Sequence, residues 1–257
     1  MDVEVAFTIV GALGMGLAFG SFLNVCILRL PHDRSLLKPP SSCPKCKHLI
    51  GWRDNIPVVS WLLLRGRCRW CQAPISVQYP LIEALVAVLW VAAALYYGFT
   101  LHALAASLFA TILLGIAITD ARHYIIPDEF SFGGLAIGLL LSLRQGGSGF
   151  VDSLIGAAVG FGLLYAVAVI GKWMFKEEAM GGGDIKMMAM VGAFVGWKGV
   201  LLTVFLGALI GTVVFVPLTL KKKRLVPFGV FLAIGAAVTF VAQNAILAWY
   251  QRFLSIG

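Results

Sequence analysis

Charge is scarce in this chain. Aspartate, glutamate, lysine and arginine make up 12% of its 257 residues, while 60% are hydrophobic. A soluble domain carries about 25% charged residues, so a freely soluble globular protein is excluded. Long apolar runs stand in place of the missing charge, at roughly 5–28, 79–97, 101–119, 129–143, 151–171, 185–197, 199–220 and 226–250. The expected fold is an all-α polytopic membrane protein of about eight transmembrane helices, with one polar insertion between the first two. The runs 129–143 and 185–197 fall short of the ~20 residues a span needs. They predict a thinned or water-filled region beside them. A basic region is missing ahead of the first run, where Asp2 and Glu4 stand, so no cleavable signal peptide is expected.

The formal charge of +8 raises the question of nucleic acid. Its distribution answers it. With the N-terminus outside, every lysine and arginine except Arg144, Lys198 and Arg252 falls on inside loops, the Lys221–Arg224 cluster among them. That is a positive-inside bias, and no nucleic-acid partner is expected. Both termini are placed outside. The chain divides into a first helix (1–28), a cytoplasmic insertion (29–78) and a membrane body (79–257).

Acids are fewest of all in the apolar runs, which gives two of them weight. Asp120 ends the third run and opens Asp120-Ala121-Arg122-His123-Tyr124-Ile125-Ile126-Pro127-Asp128. Asp184 follows Gly181-Gly182-Gly183 and reads as the N-cap of the sixth segment. Carboxylates beside hydrocarbon are costly and mark function. Each has a plainer alternative, a loop cap for Asp184 and a membrane-exit residue for Asp120. The topology puts both at the same cytoplasmic boundary, where two carboxylates sharing a proton can activate water, as in an aspartyl protease. A transporter using the same two acids is the competing reading. No inverted repeat supports it, because the short segments lack matching partners in the two halves.

Cysteine is also sparse, with five in the chain, yet four are paired as Cys43-Pro44-Lys45-Cys46 and Cys68-Arg69-Trp70-Cys71. Two C-x-x-C pairs in a reducing compartment predict a tetrahedral Cys₄ zinc site. Four thiolates leave no open position, so the zinc is expected to be structural. His48 is a spare candidate ligand, and Cys26 reads as a buried apolar residue of the first helix. Trp52, Trp61 and Trp70 read as packing or interfacial residues. The insertion shows no glycine-rich βαβ cofactor motif.

These residues together resemble the type IV prepilin peptidases, bacterial enzymes of pilus assembly and type II secretion. The resemblance covers nearly the whole chain. It runs from Gly20-Ser21-Phe22-Leu23-Asn24-Val25 and Arg29-Leu30-Pro31 through both cysteine pairs, Asp54-Asn55-Ile56-Pro57, Ser60-Trp61-Leu62 and Tyr79-Pro80 to Glu83. It continues with Asp120, Pro127-Asp128, Met180 to Lys186, Gly192-Ala193 and Gly196-Trp197, ending in Pro227-Phe228-Gly229. Departures are Thr119 and Ala121 flanking Asp120, and Val230, where proline often follows; neither is expected to touch the chemistry.

The resemblance implies a Gly-x-Gly-Asp membrane aspartyl protease with Asp120 and Asp184 catalytic. It implies cleavage of a basic leader from prepilins or pseudopilins at the inner membrane, on the cytoplasmic side. It also implies N-methylation of the new N-terminus, with S-adenosylmethionine as donor and Gly66 associated with that step. A peptidase without the methyltransferase activity is the narrower alternative. The insertion carries nine basic and two acidic residues. A basic leader would therefore approach Glu83, Asp128, Glu129, Glu177 or Glu178, or the basic loop faces anionic lipid headgroups.

Overall fold

The computed structural model describes residues 3–145, 147–176, 180–219 and 227–255. Its helices are α1 (Val3–Arg29), α2 (Val59–Leu63), α3 (Gln78–Tyr97), α4 (Leu101–His123), α5 (Asp128–Ser142), α6 (Gly147–Phe175), α7 (Gly182–Thr219) and α8 (Phe228–Ser255). No strand occurs among the described residues. Among the described residues six helices are long and apolar enough to cross a membrane, and the protein is a multi-pass membrane protein. The chain forms two compact units, Met1–Thr111 and Ile112–Gly257.

In the first unit α1 and α3 run antiparallel in close contact. A Cβ on Gly16 would lie 2.6 Å from the Ala87 Cα, and one on Gly20 would lie 2.7 Å from the Glu83 Cα. Asn24 Nδ2 donates to the Tyr79 carbonyl at 3.1 Å, and buried Trp90 stacks on Phe19 at 4.7 Å. Cys26 is buried in α1, as its position in an apolar run predicts. Glu83 is buried too, and its carboxylate accepts the Val58 N–H at 2.7 Å, tying the insertion to α3. Where the chain leaves α1, the Arg29 guanidinium donates to the carbonyls of Ser35, Leu36 and Pro39 and holds the loop.

In the second unit the runs expected at 185–197 and 199–220 are two helical pieces of α7, separated by a break at Gly196 with φ 68° and ψ 177°. Only glycine takes such a backbone freely. The apolar segments therefore match the sequence in number, but α5 is too short to span. Its 15 residues rise about 22 Å against a hydrocarbon core of about 30 Å. The helix at Asp184 begins at Gly182, which places Asp184 in the first turn and not at the cap. Lys221–Arg224, which orients the C-terminal half by charge, lies outside the described residues.

The N-terminal piece of α7 packs tightly on α6. A Cβ on Gly192 would overlap the Gly156 carbonyl, and one on Gly160 would overlap the Met188 carbonyl. The pairing of 156 with 192 and 160 with 188 makes the two helices antiparallel, and it sets the position of the turn that carries Asp184. Gly192→Ala is expected to cost about 1–3 kcal/mol by overpacking, read as a lower thermal midpoint in detergent. Gly162→Ala has open space around the added methyl. It is expected to be neutral or to stabilise by up to about 1 kcal/mol through helix propensity.

Candidate functional site

Asp120 and Asp184 come together in the second unit. Asp120 stands near the C-terminal end of α4, which stops after His123 with Tyr124 at φ 54° and its N–H on the Asp120 carbonyl at 2.9 Å. Its side chain is buried, and Oδ2 accepts the Val230 N–H at 3.2 Å from the first turn of α8. The Gly229 N–H also hydrogen-bonds to it. Asp184 is close enough to feel the charge of Asp120. Its Oδ1 is buried without a hydrogen-bond partner among the described residues.

Ile126 sits between the Gly183 and Gly229 turns of this corner. A Cβ on Gly183 would be 3.0 Å from the Ile126 Cβ, and one on Gly229 would be 2.7 Å from its Cδ1 and 2.9 Å from Asp120 Oδ2. Both glycines thus leave room for Ile126 and the carboxylate. One helix C-terminus (α4) and the N-termini of α7 and α8 meet here. The free N–H groups of the two N-termini supply donors and partial positive charge in an apolar setting.

The sequence reading missed the donor at Val230. Its departure from the family pattern does touch the site, since a proline there carries no N–H. A backbone donor leaves no residue-type signal, so the position could be found only through the helix start at Phe228. Thr119, the other departure, turns its hydroxyl to its own helix, on the carbonyls of Gly115 and Ile116 at 3.0 and 3.1 Å. Of the candidate leader-facing acids, Glu83 is taken up by Val58. Asp128 is paired with Lys186 Nζ at 2.8 Å, and Glu129 is exposed. Glu177 and Glu178 lie outside the described residues.

The four cysteines of the insertion form a second centre, in the first unit. Their sulfurs all lie within 4.8 Å of one another, with Cys43–Cys71 at 3.7 Å and Cys46–Cys68 at 4.0 Å. A tetrahedral ion with metal–sulfur bonds of about 2.3 Å sets sulfurs about 3.8 Å apart, so the group fits one metal ion. Two matching knuckles build it. The Cys43 N–H meets the His48 carbonyl at 3.0 Å, and the Cys68 N–H meets the Ala73 carbonyl at 2.8 Å. Lys47 and Gln72 turn each knuckle at φ 60° and 56°. Backbone N–H groups of Cys46 and Lys45 bring the Cys43 thiol down to about 6, while burial and the neighbouring thiols push Cys46 up to about 11, so without a metal the cluster favours a single thiolate at Cys43.

His48 is not part of the sulfur cluster; its ring packs on Trp70 at 4.1 Å. Trp61 donates to the Ile75 carbonyl at 3.2 Å and lies over Gly66. Gly66 has φ 67°, and a Cβ on it would meet the Trp61 ring at 2.8 Å. Arg69 grips Asp54 through Nε and Nη2, at 2.6 Å for the shortest contact, which lowers the Asp54 carboxyl below its usual range. That contribution is present above the ordinary aspartate pKa and fades as pH falls through the lowered one. The exposed guanidinium keeps it small.

Two protein-family models match the chain. The model of the bacterial Peptidase A24 N-terminal domain matches residues 15–97, and that of the type IV leader peptidase family matches 107–216. A prepilin leader peptidase/N-methyltransferase of Aeromonas hydrophila is 36% identical over 262 residues, 91% of this chain and 90% of the relative. The chain belongs to the type IV leader peptidase family. Proteins of the same name in Myxococcus xanthus and Neisseria gonorrhoeae are 40% and 33% identical, over 83% and 96% of this chain. The chain spans 64% of the length of the Myxococcus protein and 94% of the Neisseria one. No solved structure matches it.

Within this family member, Gly66→Ala tests the insertion. It forces a left-handed backbone on alanine and drives the methyl into Trp61. The expected result is a lower metal content per purified chain, read by elemental analysis, while the membrane helices keep their far-ultraviolet circular dichroism.

Proposed function

We propose that the chain cleaves the leader peptide of prepilins or pseudopilins with Asp120 and Asp184, and N-methylates the residue exposed. The observation that carries the reading is the shared corner, in which one carboxylate is anchored by backbone donors and the other keeps a buried oxygen without a partner among the described residues. In the proposed reaction the two acids hold one proton between them. The ionised member takes a proton from water, which adds to the scissile carbonyl. The protonated member gives its proton as the amine leaves. Gly229 and Val230 N–H groups hold Asp120 in place, and Ile126 limits water access.

The cysteines would hold a zinc ion closed to substrate, so its contribution is to the shape of the insertion. S-adenosylmethionine would supply the methyl group, passing it from sulfonium to the new N-terminal amine. Gly66 acts on that step through the knuckle it allows. Among the described acids considered for a basic leader, Glu129 is exposed and outside the contacts that take up Glu83 and Asp128. The proposed place of work is the inner membrane of a bacterium, with the aspartates and insertion on the cytoplasmic side.

Purified protein, a synthetic prepilin and labelled S-adenosylmethionine, followed by mass spectrometry of the new N-terminus, read both reactions. Asp120→Asn and Asp184→Asn are each expected to lower cleavage by at least about 10²–10⁴-fold. Normal cleavage by either variant removes that residue from the mechanism. Cys68→Ser is expected to lose methylation more than cleavage, and equal losses would sink the separation.

The corner makes a finer prediction about Asp120. Val230→Pro removes one donor while the Gly229 N–H remains, so less than about a tenfold loss is expected, near the ~1.4 kcal/mol of a single hydrogen bond. Gly229→Ala drives a methyl into both Asp120 and Ile126, and a much larger loss of cleavage is expected in the same assay.

A further inference from the structure

An apolar groove of about 640 Å³ runs between α1 and α3, walled by Leu13, Leu17, Val88 and Val91 and closed at one end by Pro57 and Val59. Both helices are long and apolar enough to cross a membrane, so the groove opens onto lipid. We propose that it binds one phospholipid with an anionic headgroup, an acyl chain lying in the groove and the phosphate at the insertion's end. The site does not depend on the peptidase reading.

Length and lining select the occupant. The lining runs from Ala84 to Leu95 on α3, about 16 Å of helix axis. That length and a lining of aliphatic side chains alone suit a stretch of acyl chain lying along the groove.

The closed end is built, not incidental. Val58 has φ 61° and ψ −51°, and the Val59 N–H meets the Pro57 carbonyl at 2.6 Å. That is a γ-turn of the rare, strained kind, at a β-branched residue that disfavours it. The buried Glu83 carboxylate holds it by accepting the Val58 N–H. Strain kept in place by a buried carboxyl group points to a functional shape.

Beyond the turn the surface changes to that of a bilayer interface. Val59, Leu62, Leu63 and Trp52 are exposed. The Ser60 hydroxyl donates to the Arg53 carbonyl at 2.8 Å, which stitches Arg53 to this segment. The Arg53 guanidinium lies over the Trp52 ring and meets no carboxylate among the described residues, whereas Arg69 is taken by Asp54. A cation beside an interfacial tryptophan, on an insertion rich in basic residues, matches a phosphate of an anionic headgroup.

The full chain, delipidated in detergent, is offered phosphatidylglycerol, phosphatidylcholine or palmitate and examined by native mass spectrometry. One phosphatidylglycerol per chain is expected, retained at least tenfold better than the other two. A diazirine on its tail is expected to label Leu13, Leu17, Val88 or Val91. Val88→Trp, at an exposed wall position, is expected to lower retention at least tenfold with metal content unchanged. If that variant does not fold, Leu13→Trp on the facing helix gives the same reading. Arg53→Glu is expected to abolish the preference over phosphatidylcholine. Equal retention of all three ligands, labelling elsewhere, undiminished binding by a folded groove-filling variant, or displacement of the lipid by an apolar helical peptide would each overturn the proposal.

Discussion

A carboxylate held among apolar helices has to find its donors in the protein, because hydrocarbon offers none. Inside a helix every N–H is already bonded, and free ones occur only in the first turn. The corner around Asp120 follows from that constraint. Its donors are N–H groups at the start of α8, and it lies at the end of α4, where the chain turns back. Asp184 stands in the first turn of α7. A site of this kind can be assembled in a membrane body only where helices begin and end at one depth. The break at Gly196 serves that geometry, since it gives α7 a short N-terminal piece whose packing on α6 can be set separately from its longer remainder.

Close packing then does what charge pairing does in a soluble enzyme. Between lipid-exposed helices there is no hydrophobic drive, and contact surfaces of small residues bring backbones together. Gly156 and Gly192 leave no room for a side chain, so α7 has one position against α6. Gly183 and Gly229 do the same around Ile126. The insertion solves the opposite problem. It has no apolar core of useful size and no sheet among its described residues, so two knuckles gather four sulfurs, and a metal would supply the binding energy a core normally supplies. Trp61 over Gly66 and Arg69 on Asp54 join the knuckles to the α2 segment, and Glu83 joins that segment to α3.

Much of this was legible in the sequence, for reasons that differ from part to part. Apolar runs separated by charges located the helices, because hydropathy records a requirement of the bilayer. The cysteine spacing located the sulfur cluster, because a knuckle is a local structure. Asp120 and Asp184 stood out because acids are rare there. What was hidden was non-local or carried by backbone. The Val230 donor is 110 residues from Asp120, and any residue but proline offers the same N–H. Glu83 read as part of a motif at a membrane exit, and its partner is a main-chain N–H of a strained turn.

Five buried side-chain atoms among the described residues have no hydrogen-bond partner: Asn24 Oδ1, Ser131 Oγ, Asp184 Oδ1, Thr203 Oγ1 and Thr239 Oγ1. The four neutral ones belong to groups that can be left unpaired at a cost of about 1–3 kcal/mol each. Asp184 is different, because a carboxylate in the same position costs more and the chain has an easy remedy in the free N–H groups of its own helix start. Its neighbour shows the remedy in use, with Asp120 bonded to α8. An acid oxygen left bare beside a satisfied one is an asymmetry that packing alone does not require. It is the arrangement expected when one carboxylate is to be held still and the other has to exchange a proton with a water or a peptide that arrives later.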